Sequence, residues 1–383
     1  MLDNRIFVRA TLAVVLCSAF PMIVVGCYFV HIPWNMERLD ISERDLGLAI
    51  LVFGIFFIIS NQFSARFLVP RIGTKIVMSF AMILISFATV LLVTAPNYQL
   101  FLICSIPAGL GWGSSGPIGG IHAQLIEQHS KKIITPYYAM GFNLGIFFGG
   151  LLAAYFISNS FAPWKVFLTL AFLSIVVSFI IYNYSLPKEM DFSGKGEKYK
   201  IPEKKVLIFG FVLFVIFGSG GIIVDWSPLW LTKELGSPLY LGGLGLIFYS
   251  LGGILANLFS NQLIAIFSEK IVTSVFVIIA SLILFFSILT MNFYIIIISF
   301  LFYGFFVANL VPLVVRQAVL QSSESIPTTV SNITTIGFSA LLFAPAAIGF
   351  VAETFSLTIN MYVLCFVVFF AGIIMLVNFK NES

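Results

Sequence analysis

The sequence predicts an all-α membrane protein with twelve transmembrane helices in two pseudo-symmetric six-helix bundles. Three observations carry that prediction: an apolar composition, twelve apolar stretches of spanning length, and a one-sided distribution of basic residues. The 383 residues are 60% hydrophobic and 9% charged, with 43 Phe, and the mean hydropathy is +1.07. An ordinary soluble domain carries about a quarter charged residues. A chain of this length would lack the polar surface needed to cover itself in water, which excludes a water-soluble enzyme, a nucleic-acid binder and a disordered protein.

A spanning helix needs about 20 mostly apolar residues. Such stretches occur at about 8–30, 46–66, 75–95, 99–122, 135–157 and 164–185 in the first half. They recur at about 206–231, 241–264, 271–290, 293–315, 331–352 and 358–378 in the second. The first stretch is too long for a signal-peptide core, and no small-residue cleavage site follows it. With both termini inside, 16 of the 20 Lys and Arg face the cytoplasm and only Arg38, Arg44, Lys165 and Lys233 face out. Positive charge accumulates on the inner side, so an odd helix number or an inverted topology would destroy that asymmetry. The polar stretch 186–205 carries six Lys and reads as a cytoplasmic linker between an N-terminal bundle (1–185) and a C-terminal bundle (206–383).

The halves align at an offset of 195 residues. Gly47 falls on Gly242, Lys75-Ile76-Val77 on Lys270-Ile271-Val272, Asn97 on Asn292, Gly109 on Gly304 and Pro117 on Pro312. One register held from the second to the fourth stretch is what a parallel six-helix repeat produces.

Soluble chemistry leaves no trace. Cys17, Cys27, Cys104 and Cys365 are scattered through apolar runs, and the only histidines are His31, His122 and His129. There is no HExxH, nucleophile elbow, Walker A loop or dinucleotide fingerprint. No cofactor and no metal site is expected.

Local motifs point to a family. The loop after the second stretch reads SARFLVPRIGTK over 64–75. It resembles the helix 2–3 signature GxLaDRxGRR of the major facilitator superfamily, matching at Leu68, Arg71, Gly73 and Lys75. Arg66 stands where the leading Gly belongs, and Pro70 where the Asp belongs. The glycines Gly141, Gly145 and Gly149 share one face of the fifth stretch, as in close helix packing. They also resemble the antiporter signature GxxxGPxxGG, with Ile146 in place of its Pro. Ser105 occupies the position of the Arg in the family's RxxQGxG pattern. Asp225-Trp226-Ser227, Asn309-Leu310-Val311-Pro312 and the run from Thr334 to Glu353 resemble a branch of bacterial inner-membrane permeases near the fucose-permease-like members. His122-Ala123-Gln124 with Glu127 is similar to that branch's N-x-Q…E segment, His122 replacing Asn.

The resemblance implies the major facilitator fold and a secondary transporter, without enzymatic activity, that moves a small solute by alternating access. Its partners would be that solute, protons and the lipid bilayer, with no nucleic acid, and the chain would act as a monomer. An intramembrane charge costs about 2.5–3.5 kcal/mol on insertion scales and marks function by default. Asp225, in the outer half of the seventh stretch, is therefore the candidate for coupling or solute binding; equally, it could sit at the interface and pair with Lys233. Trp112, Ser114, Ser115, Tyr303 and Asn309 lie on helices that line the cavity in the family, and Asn143, Asn257 and Asn332 are polar companions. Such a set suits a neutral or weakly charged hydrophilic solute, such as a sugar, rather than a dicarboxylate, because no midplane cation is available. Arg66, Arg71, Gly73, Lys75, Glu127 and Arg316 are expected at a cytoplasmic gate, with Glu127–Arg71 as an ion pair that breaks when the protein opens inward. Two alternatives stay open: a proton-driven exporter of a drug or metabolite, and a transporter-like receptor.

Overall fold

The computed structural model describes residues 3–130, 134–191, 202–323 and 326–380. Twelve long helical segments account for most of them. In the first half these are α1 (Asn4–Val30), α2 (Glu43–Phe63), α3 (Thr74–Thr94), α4 (Tyr98–Ser130), α5 (Thr135–Ser158) and α6 (Pro163–Tyr184). In the second they are α7 (Lys204–Lys233), α8 (Leu239–Leu258), α9 (Val275–Leu289), α10 (Phe293–Gln321), α11 (Asn332–Thr354) and α12 (Leu357–Asn378). Ten are long and apolar enough to cross a membrane, or eleven with α9 taken together with the bent turn before it. The remaining one, α4, has 33 residues, its apolar character diluted by the glycine and serine run 109–116.

Chain contacts divide the molecule into two units, one comprising Met1–Ile41 with Leu48–Gly196, the other Ser42–Gly47 with Glu197–Ser383. Unit 1 is built on close helix approaches. A Cβ on Gly145 would lie 2.3 Å from the Ala19 carbonyl oxygen of α1, and one on Gly149 would lie 2.5 Å from that of Ile23. Gly141 meets the Ser18 side chain on the same face. With little hydrophobic driving force between helices in lipid, such small-residue contacts supply the van der Waals packing that holds spans together. Large apolar side chains point outward instead, Phe179 being 71% exposed, which water would penalise and lipid does not.

The 195-residue repeat is visible in each unit. Asn97 caps α4 by accepting the Leu100 N–H at 3.0 Å; Asn292 caps α10 by accepting from Tyr294 and Ile295 at 3.0 and 3.3 Å. Gly109 of α4 abuts the Phe53 carbonyl of α2, and its counterpart Gly304 of α10 abuts the Tyr249 carbonyl of α8.

In unit 2 the start of α12 is held from the end of α7. The Glu234 carboxylate accepts from the Leu357 N–H at 2.5 Å, the Thr358 N–H at 3.0 Å and the Thr358 hydroxyl at 2.6 Å. Trp230 Nε1 donates to the same hydroxyl oxygen at 2.8 Å. A hydrogen bond to a charged group contributes about 1.5–3 kcal/mol. Glu234→Ala is accordingly expected to destabilise unit 2 by about 2 kcal/mol or more, read as a lowered melting midpoint in detergent. An unchanged midpoint would contradict the capping role.

Candidate functional site

The backbone of α7 is not uniform. It runs as α-helix over Lys204–Gly221, as π-helix over Ile222–Trp226 and as α-helix again over Ser227–Lys233. The cause is in the sequence. Pro228 has no N–H to give to the carbonyl four residues back, and Gly218, Gly220 and Gly221 weaken the turn before it. One extra residue is accommodated as a π-bulge, a feature frequent at functional sites.

Asp225 sits in that bulge. Its carboxylate leans back over Gly221, where an added Cβ would be 3.7 Å from Oδ2. Among the described residues Asp225 makes no hydrogen bond and no ion pair. Lys233, one of the two placements open for it from sequence, pairs with Glu43 instead.

Polar atoms without partners surround the same stretch of unit 2. Trp226 Nε1, Ser227 Oγ and the Tyr303 hydroxyl are buried and have no hydrogen-bond partner of good geometry among the described residues. Tyr303, on α10, has its ring centroid 6.2 Å from that of Tyr249 on α8, and its hydroxyl lies beside Ser219 of α7. Ser219 itself donates to the Ile216 carbonyl at 2.9 Å, so its lone pairs are open to a donor. Ser227 Oγ fills the space beside Gly245, where a Cβ would be 2.6 Å away. Buried polar groups are normally hydrogen-bonded, and each exception calls for an explanation. Here two exceptions follow Asp225 directly in the chain and the third lies beside Ser219, earlier on the same helix, and no Lys or Arg occurs between Lys205 and Lys233 of α7. Donors and acceptors without a cation can hold hydroxyls or amides.

The other expected cavity residues divide between the units. In unit 2, Asn309 Nδ2 donates to the Ala256 carbonyl at 3.3 Å, tying α10 to α8. Asn257 is half-buried on α8 and Asn332 is buried on α11. In unit 1, Ser114 of α4 meets both Ser60 and Ser64, the latter at 2.7 Å. Ser115 donates to the Trp112 carbonyl at 3.3 Å. The Trp112 ring stands edge-on to Phe53 at 5.4 Å, and Asn143 Nδ2 donates within its own helix to the Ala139 carbonyl at 3.4 Å.

The expected gate residues have local partners. Arg71 lies over the Phe67 ring at 6.0 Å, while Glu127 accepts the Ile134 N–H at 2.6 Å. Glu127 and Arg71 are not paired with each other in this structure; a gate that breaks on inward opening is formed in only one access state. Arg316 pairs with Glu269, Lys75 lies over Tyr182 at 4.9 Å, and the side chain of Arg66 is outside the described residues. Tyr249 and Ser219 were not singled out from sequence. Their only signal was position, one on each side of a tyrosine already chosen, and a single sequence does not show which helices face each other.

Two six-helix units with a broken helix carrying an unpaired acid define a polytopic membrane protein of the transporter class. The sequence pattern of the Major Facilitator Superfamily matches residues 14–339. The chain belongs to that superfamily. It is 24% identical over 337 residues to an uncharacterized MFS-type transporter of Yersinia pestis, covering 86% of this chain and 85% of the relative. It is 24% identical over 175 residues to the quinolone resistance protein NorA of Staphylococcus aureus, 44% of each chain. The nucleoside transporter NupG shares its fold, with a TM-score of 0.74 at 12% identity over 97% of this chain and 100% of that one.

Proposed function

We propose that this superfamily member is a secondary active transporter that moves a small hydrophilic, sugar-like solute by alternating access, with protons as the coupling ion and Asp225 as the coupling group. Its place is the inner membrane, with both termini in the cytoplasm, and it works as a monomer without enzymatic activity. The observation that carries this reading is the unpaired Asp225 in the π-bulge of α7, followed in the chain by the unpartnered Trp226 and Ser227. A carboxylate with no counter-ion inside a span is costly when charged. It gains most from a proton or from the hydroxyls of a bound solute, so the two ligands are linked at one residue.

The names of two relatives widen the solute panel. NupG is a nucleoside transporter, and a nucleoside presents the same hydroxyls as a sugar. NorA is a quinolone resistance protein, which supports a second reading, proton-driven export. The test is a thermal-shift screen of sugars, polyols, nucleosides and quinolones on the purified protein, followed by counterflow in proteoliposomes. A hydroxylated neutral solute is expected to stabilise the protein and exchange. Stabilisation without exchange of any solute would favour a receptor and overturn the proposal.

A further inference from the structure

A buried polar chain in unit 1 joins three segments far apart in sequence. His122 of α4, Thr74 at the start of α3 and Asp191, seven residues after the end of α6, are each at most 1% exposed. The Leu186 N–H donates to His122 Nε2 at 3.3 Å, so that nitrogen carries the lone pair and the proton sits on Nδ1. Nδ1–H lies 2.5 Å from Thr74 Oγ1, and Nδ1 is also 3.4 Å from Asp191 Oδ1. The Thr74 hydroxyl donates in turn to Asp191 Oδ1, and the Lys75 N–H donates to Asp191 Oδ2 at 3.1 Å. Every donor has an acceptor, and each bond's direction is fixed by the next.

The carboxylate itself is held by neutral donors at the N-terminal end of a 21-residue helix, where the macrodipole favours a negative charge. Burial pushes the Asp191 carboxyl up, but the hydrogen bonds from His122, Thr74 and the Lys75 N–H outweigh it and leave the group below its ordinary range. Gly73 is required twice over. Its φ is +84°, and an added Cβ would lie 2.4 Å from Asp191 Oδ2.

We propose that Asp191 is a positioning residue that clasps the segment 186–191 over the α2–α3 loop, supplying from another part of the chain the acid that this loop lacks at Pro70. The clasp sets the start of α3 and therefore the loop bearing Arg71 and Lys75. It makes Leu186–Asp191 part of unit 1 rather than a connector between the halves; Leu186 is fully buried in the core formed with Val14, Ala123 and Ile126. This inference does not depend on which solute is carried or on Asp225.

The test uses the full chain in lipid nanodiscs and needs no solute. Hydrogen exchange at the Lys75 and Leu186 amides is measured together with the 15N shifts of the His122 ring. The wild type is expected to show both amides protected and the Nδ1–H form of His122. Leu is close to Asp191 in size and offers no acceptor, so Asp191→Leu is expected to speed exchange at Lys75 by at least tenfold. It is also expected to speed exchange at Leu186, because a His122 that loses its acceptor chain adopts the Nε2–H form and can no longer accept there. Thr74→Val, which keeps the carboxylate, is expected to shift the His122 signature while Lys75 stays protected. A Leu186 amide unchanged in Asp191→Leu, or a wild-type His122 with its proton on Nε2, would overturn the proposal. Should Asp191→Leu fail to fold, the Thr74→Val spectrum and the wild-type tautomer still decide it.

Discussion

Gly145→Ala is expected to disrupt unit 1, although it adds a single methyl group. That methyl would lie 2.3 Å from the Ala19 carbonyl oxygen and 2.4 Å from the Met22 Cβ. Neither can give way without moving α1, because one is backbone and the other is fixed to it. Overpacking typically costs about 1–3 kcal/mol, and a contact with rigid backbone belongs at or above the top of that range. The measurable result is a melting midpoint lower by about 5–10 °C, on the scaling of about 2–4 °C per kcal/mol for domains of this size. Gly120→Ala on α4 is the control, since nothing lies within 4 Å of its added Cβ. Ala is the better helix former by about 1 kcal/mol, so that variant is expected to melt at the wild-type midpoint or above. Equal midpoints for the two variants would refute the close α1–α5 approach.

Asp225→Asn is expected to abolish uphill accumulation while leaving downhill exchange. Asn preserves the shape and the hydrogen-bonding capacity of the π-bulge but cannot take up a proton. A pH gradient of one unit is worth about 1.4 kcal/mol, enough for about tenfold accumulation by one coupled proton. The wild type in proteoliposomes with such a gradient should approach that ratio for the solute identified by the screen. The variant should stop near one. Tyr303→Phe, which removes one unpartnered hydroxyl and leaves the ring beside Tyr249, should weaken solute binding and retain coupling.

Much of the fold was legible because its determinants are local. Apolar length identifies a span wherever it occurs, and the Asn97 and Asn292 caps mark equivalent helix starts in the two halves. The glycine face of α5 was equally visible, since a four-residue spacing puts Gly141, Gly145 and Gly149 on one side. Asp225 stood out by chemistry alone, as an acid in an apolar run before Pro228. What was not legible depends on which helix faces which. The contacts of Arg71 with Phe67 and of Glu127 with the Ile134 amide were not legible, because charge alone does not show which loop groups turn toward them. Asp191 sat in what read as a linker, and nothing in its neighbourhood says that Thr74 and His122, 117 and 69 residues earlier, turn toward it. His122 showed only as a departure from a family pattern. Tyr249 and Ser219 acquire meaning from Tyr303, and that meeting exists only once α7, α8 and α10 are packed.

The most direct test of the account is proton movement itself. Wild-type protein and Asp225→Asn are reconstituted in vesicles containing a pH-sensitive dye, and the solute that stabilises the purified wild type is added outside. The account predicts a solute-dependent pH change in the wild-type vesicles and none in Asp225→Asn, with counterflow of the same solute persisting in both. An undiminished pH change in Asp225→Asn would contradict it.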